Sequence, residues 1–283
     1  MKREDAIMRR MGKDSFFLRK CQWSLWGILL AISLFLLMGC VSHIKDLRDV
    51  QDQFNNAATL ENQMKMDPRK GDAVTLTAIT ASYSMSLKSV SELIENKQAD
   101  LEKDKLLGVA YTIKALAAWR LGDFQMAEKT ATTAINMDQK SKILLPRDRA
   151  MLGALRGLMK NDQAYLKMKN PDSSYGEIKT LLMDSISEIQ AGMTVEGGGE
   201  NLRLYFLTSQ MSALRNWKLL RTDPPRTKPQ PFDEEAERKE WCNQTKPIWG
   251  AFEGEVHRVM EMEEAGQFIR WWGLRLGMPQ GCP

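Results

Sequence analysis

From residue 41 onward, apolar residues return at three- and four-residue steps, the spacing that gathers them on one face of an α-helix. Ile44, Leu47, Val50, Phe54, Ala57 and Leu60 trace one such face and predict a helix from Val41 to about Met66. Asp67-Pro68 ends it, because the residue before a proline is driven out of the α region. Val74, Ile79, Tyr83, Leu87, Val90 and Ile94 predict a second helix, from an Asp72 cap to about Glu95, followed by a charged link from Asn96 to Lys105. After Leu144-Leu145-Pro146, the stripe Met151, Leu155, Leu158 and Tyr165 runs from Arg147 to Lys169. Asp162 interrupts that stripe, and an acid there belongs at a solvated edge. Asn170 to Ser174 is a turn cluster. Ile178, Leu181, Leu182, Ile186 and Ile189 then predict a helix over Tyr175 to Met193, which with its predecessor reads as a second, degenerate helical pair. Leu204, Leu207, Met211 and Leu214, with Trp217 close by, do the same for Asn201 to Arg221.

The breaks are as informative as the stripes. Glu196-Gly197-Gly198-Gly199-Glu200 reads as a flexible joint, since a phosphate loop needs a strand before it and a Lys-Ser/Thr pair after it. Thr222 to Phe232, TDPPRTKPQPF, holds four prolines. It predicts an extended, semi-rigid linker, with a proline-motif ligand as the alternative. Asp233 opens a helix to about Cys242, and Pro247 suits the first position of the next one. That helix carries Ile248, Phe252, Val256 and Val259 and ends near Gly266. In the closing FIRWWGLRLGMPQGCP, the residues Phe268, Trp271, Trp272, Leu274 and Leu276 predict a tail that folds back into the core; left exposed, they would mark a partner or a membrane interface. Good helix formers dominate most windows and no convincing alternating β-branched run occurs. The expected fold is all-α, an array of helical hairpins.

The first forty residues change the compartment. Trp23 to Leu37 carries no charge, and basic residues outnumber acidic ones before it. A basic segment, a short apolar core and a small-residue ending describe a secretory signal peptide, and the core is short of the ~20 residues a spanning helix needs. The ending Leu37-Met38-Gly39-Cys40 resembles the lipobox of bacterial lipoprotein signal peptides. That resemblance implies cleavage before Cys40, a diacylglycerol thioether on its sulfur, and acylation of the new N-terminus with a fatty acid such as palmitate. In Gram-negative lipoproteins an aspartate after the cysteine commonly means inner-membrane retention, so Val41 points to the outer membrane, facing the periplasm. The alternative is an uncleaved anchor that happens to end in Gly-Cys.

Seven of the 40 Lys/Arg and three of the 36 Asp/Glu precede Cys40, so the remainder carries 33 of each. A balanced chain lacks the basic face of a nucleic-acid binder, and no nucleic-acid partner is expected. With Cys21 removed and Cys40 lipidated, Cys242 and Cys282 remain, a pair in an oxidising compartment and hence a predicted disulfide. His43 and His257 show no HExxH-like spacing, so no metal site is predicted, and no cofactor.

The stretch from Gly108 to Asp138, GVAYTIKALAAWRLGDFQMAEKTATTAINMD, resembles a tetratricopeptide repeat. Tyr111, Ala115, Gly122 and Phe124 fall on the repeat's aromatic, small, turn-glycine and second aromatic positions, and Ala127, Ala131 and Ala134 on the face of its second helix toward the first. Gln139 departs from the proline usual at the repeat's end. An ordinary αα-hairpin with an alanine-rich seam is the alternative. The resemblance implies a concave surface on the first helix, with Val109, Thr112, Leu116, Trp119 and Arg120 facing a partner; a tryptophan beside the turn reads equally as core, so Trp119 belongs to either.

The expected organisation is a signal peptide over 1–39, a helical-repeat-like α domain over 40–221, a proline-rich linker over 222–232, and a C-terminal helical segment over 233–283 that packs back on the body. No nucleophile elbow, metalloprotease motif, P-loop or dinucleotide fingerprint occurs, so no catalytic residues are assigned. The expected function is a membrane-anchored envelope lipoprotein that binds another envelope protein or a peptide segment without catalysis. The alternatives are a helical ligand-binding accessory subunit of an envelope transporter and a cell-wall-acting enzyme.

Overall fold

Each amphipathic run must bury its stripe, and in an all-helical chain with short connections the nearest partner is the next helix, packed antiparallel. The computed structural model describes residues 42–66, 73–222, 232–278 and 282. The Leu37–Cys40 ending, Cys21, Asp67-Pro68, the Asp72 cap and most of the proline-rich stretch lie outside them. The described residues form nine helices and no strand: α1 (Ser42–Met66), α2 (Ala73–Lys103), α3 (Leu107–Arg120), α4 (Phe124–Ser141), α5 (Pro146–Lys169), α6 (Tyr175–Met193), α7 (Glu200–Thr222), α8 (Glu234–Val259) and α9 (Met262–Leu276). Within each of two compact units consecutive helices pair, and the chain is an all-α helical-hairpin array. It divides into two compact units, Met1–Leu145 and Pro146–Pro283, a boundary that falls inside the range 40–221.

In the first unit, α1 and α2 pair and α3 packs on both. Leu47 and Val50 of α1, Val90, Leu93, Ile94 and Leu101 of α2, and Leu107, Ala110 and Ile113 of α3 share one core. A second cluster of Ala57, Ile79 and Tyr83, with Phe54 packed against Tyr83 at 5.3 Å between ring centroids, continues the α1–α2 seam. Val74 is 76% exposed, so the buried stripe of α2 starts a turn later than the spacing predicted. The predicted link at Asn96 is helix instead: α2 runs to Lys103 with one irregular residue, Lys97 (φ −135°, ψ 22°). Fully buried Leu101 holds that last turn to the core.

The α3–α4 turn shows how a few residues set a hairpin. Gly122 takes φ +79°, where only glycine is at ease. Its N–H donates to the Trp119 carbonyl at 2.9 Å and the Asp123 N–H to the Ala118 carbonyl at 3.0 Å, a Schellman closure of α3. Asp123 then caps α4 by accepting from the Met126 N–H at 2.9 Å. Ala115, Ala127, Ala131 and Ala134 are buried.

In the second unit, α5 and α6 approach so closely that a Cβ on Gly157 would stand 2.6 Å from the Ile189 nitrogen, and one on Gly192 2.6 Å from the Ala154 Cβ. Helix α7 packs on α6, and α8 on α7. Pro247 does not begin a helix; it lies inside α8. Buried Trp241, Cys242 and Thr245 before it, and Phe252 and Val256 after it, hold both halves to the unit. That packing outweighs the loss of one backbone hydrogen bond at the proline. The break predicted near Gly266 comes earlier, at extended Met260, and the tail forms α9. Phe268, Trp272 and Leu276 are buried there, while Leu274 is 72% exposed.

Candidate functional site

Of the five residues expected to face a partner from α3, three are buried and two half-buried. Val109 is part of the first unit's core. Thr112 is buried, its hydroxyl donating to the Gly108 carbonyl at 2.9 Å. Trp119 is buried and Leu116 half-buried. Arg120 stacks 4.0 Å from the Trp119 ring centroid, and its Nη1 donates to Glu61 Oε1 at 3.4 Å. Glu61 also accepts from the Tyr83 hydroxyl at 2.7 Å, so one carboxylate ties α1, α2 and α3 together. Part of that face is covered by the first hairpin: Val109 packs in the core shared with α1 and α2, and Arg120 reaches Glu61 of α1.

The other assigned residues fare differently. Cys242 and Cys282 form a disulfide with Cα atoms 5.4 Å apart. Cys40 lies outside the described residues. His43 is buried, its Nε2 donating to Asp104 Oδ2 at 2.7 Å, which pins the start of α1 to the end of α2. His257 is exposed. Among the described residues no group of three or more His, Cys, Asp or Glu is placed to hold a metal ion. No described helix is long and apolar enough to cross a membrane.

A groove of about 550 Å³ opens in the second unit between α6 and α8, with α7 as its floor. Met183, Ile186, Ser187 and Gln190 form one wall, Gln244, Pro247, Ile248 and Ala251 the other, and Leu207 and Gln210 the floor. None of these ten side chains is charged, in a chain where 27% of residues are Asp, Glu, Lys or Arg. Gln210 is the unusual member. It falls within the apolar stripe of α7, between Leu207 and Met211, and is 1% exposed. Its Nε2 donates to the Ile186 carbonyl at 2.8 Å. Its Oε1 is buried with no hydrogen-bond partner. Burying an unpaired amide oxygen costs free energy, and native folds keep such atoms rare.

One turn before the groove on both walls, charges concentrate. Lys179 of α6 donates to Glu237 Oε1 at 2.6 Å and to Glu240 Oε2 at 2.7 Å, both on α8. Tyr175 donates to Glu237 Oε2 at 2.8 Å. Burial alone would lower the Lys179 pKa, but the two carboxylates outweigh it and leave it raised. Burial, then the hydrogen bond to Glu237, pushes the Tyr175 phenol up. This network fixes the spacing of the two walls. The same order of residues on both, 179 to 190 and 237 to 251, makes α6 and α8 parallel, as alternate helices of an up-down array must be.

Two further cavities carry charge. One of about 330 Å³ by the Gly197–Gly199 loop is bordered by Arg203 and Arg258, both paired with buried Glu255. The other, about 380 Å³ between α1 and α2, is edged by Asp46, Asp49, Glu92 and Lys97. The α6–α8 groove was missed in the sequence because its residues come from three helices. Its one local signal was a neutral amide, Gln210, inside an apolar stripe. Comparison with family models, curated proteins and solved structures finds no match for this chain.

Proposed function

We propose that this chain is an exported lipoprotein, lipidated at Cys40 and held at the outer membrane facing the periplasm, whose helical hairpins act as a non-catalytic adaptor for another envelope protein or a peptide segment. The location is supported by the Leu37-Met38-Gly39-Cys40 ending and by a Cys242–Cys282 disulfide suited to an oxidising compartment. The observation that carries the binding role is the α6–α8 groove, a concave, mainly apolar surface with a few placed amides. Its walls are braced by the Lys179 network, so the surface is preformed and loses little freedom when filled. The test is site-specific photo-crosslinking in intact cells, with the reactive group placed at Ser187 on the groove or at exposed Leu274 on α9. A defined envelope protein captured from Ser187 and not from Leu274 is expected. Capture of the same proteins from both positions would show that the groove is not the binding surface.

A further inference from the structure

Resting on the adaptor reading, we infer that the α6–α8 groove takes an extended, uncharged aliphatic segment of a peptide, and that it selects the extended form through a free backbone N–H. Three observations set the occupant. The first is charge. All ten lining residues are neutral, so a Lys, Arg, Asp or Glu side chain entering the groove would be desolvated with no opposite charge to meet it. The second is hydrogen bonding. The floor holds Gln210, whose buried Oε1 has no partner and calls for a donor. A helical ligand spends its backbone N–H groups internally beyond its first turn, whereas an extended segment keeps them free. The third is length. The lining spans eight residues along α6, from Met183 to Gln190, and eight along α8, from Gln244 to Ala251. At a rise of about 1.5 Å per residue that is roughly 10 Å, the reach of about three extended residues.

The occupant therefore lays one or two aliphatic side chains against Ile186, Leu207 and Ile248 and turns an N–H toward Gln210. The adaptor reading concerns whether a partner is bound at all; this inference concerns which feature of the partner is read. The experiment uses the full mature chain in detergent and a phage-displayed library of random heptapeptides. Recovered peptides should share a short aliphatic core free of Lys, Arg, Asp and Glu. Synthetic versions should bind the Ser187→Lys variant, which brings a charge to the groove, about tenfold more weakly or worse. N-methylation of one core amide should weaken binding to the wild type by a similar factor, and that loss should vanish in Gln210→Met, which removes the acceptor. Far-ultraviolet circular dichroism checks that both variants keep their helices. A charged consensus, binding unchanged by Ser187→Lys, preference for stapled helical peptides, or no enriched peptide while an uncharged lipid amide binds would each overturn the inference. If Ser187 still captures an envelope protein in cells in any of those cases, the adaptor reading survives and only the occupant is wrong.

Discussion

Asp148 lies in the first turn of α5, where the helix dipole ordinarily favours a negative charge. Burial nonetheless pushes its pKa up to about 6, against the opposing pull of the neighbouring Arg147 charge. Its Oδ2 is buried with no hydrogen-bond partner. The folded state thus holds a proton that the unfolded chain, with an aspartate pKa of 3.8, releases sooner. Its contribution to stability is full below pH 3.8 and is lost as pH rises through about 6. Asp148→Asn should therefore raise stability at pH 7.5 by on the order of 2 kcal/mol and leave it nearly unchanged at pH 3.5. Urea melts at the two pH values would check this; an equal shift at both would show that the carboxylate's charge is not the cause. A smaller effect is stored in the backbone. Lys105 (φ 60°) and Lys142 (φ 52°) occupy the left-handed region just past α2 and α4. Lys105 closes α2 in the way Gly122 closes α3, with the Leu106 N–H donating to the Leu101 carbonyl at 2.7 Å. A glycine removes the Cβ strain there, so Lys105→Gly and Lys142→Gly should each raise the thermal midpoint, by an amount worth about 0.5–1 kcal/mol.

At the scale of elements, the α5–α6 hairpin depends on what its helices lack. A Cβ on Gly157 would lie 2.7 Å from the Ser185 carbonyl oxygen and 2.6 Å from the Ile189 nitrogen, both backbone atoms. Gly157→Ala should therefore cost about 1–3 kcal/mol by forcing the helices apart, despite alanine's better helix propensity. Gly176→Ala, with nothing within 4 Å of its new Cβ, is the control and should be neutral or stabilising. Thermal melts of both would settle it: equal midpoints for the two would mean that the close approach is not what holds the hairpin. The helices themselves were legible in the sequence because a stripe at helical spacing is a local signal. Ile178, Leu182 and Ile189 were read as buried and are 0% exposed. Two boundaries were not legible, because distant contacts decide them. The charged run after Asn96 stays helical through Leu101, and α8 crosses Pro247 with buried residues on either side. The cover over α3 was not legible for a related reason. Spacing says which residues share a face, but Val109 packs on a first hairpin whose docking no local pattern announces.

On the scale of the whole molecule, the proposed lipid anchor and the disulfide can be tested separately. The proposed lipidation at Cys40 predicts that Cys40→Ala abolishes incorporation of a fatty-acid analogue; equal labelling of variant and wild type would reject the anchor. The disulfide is a bond that oxidising compartments favour. Cys282 lies 40 residues beyond Cys242, and both are buried. The loop between them holds most of α8 and all of α9, including Phe252, whose ring lies 5.5 Å from Phe268 and 6.3 Å from Trp272. Without the disulfide, that aromatic packing and the seats of α8 and α9 on α7 must hold the tail unaided. In the chain-entropy picture a loop of this length contributes roughly 3–4 kcal/mol by restricting the unfolded chain. The same mature sequence should therefore differ with its place of synthesis. Exported, it should show no free thiol at Cys242 or Cys282 by alkylation and mass spectrometry. Made in a reducing cytoplasm without residues 1–39, it should carry both thiols and unfold at a lower urea concentration. Oxidation in vitro should restore the difference, and Cys282→Ser should abolish the gain. Equal urea midpoints for the oxidised and reduced forms would mean that α9 is held by its aromatic contacts alone.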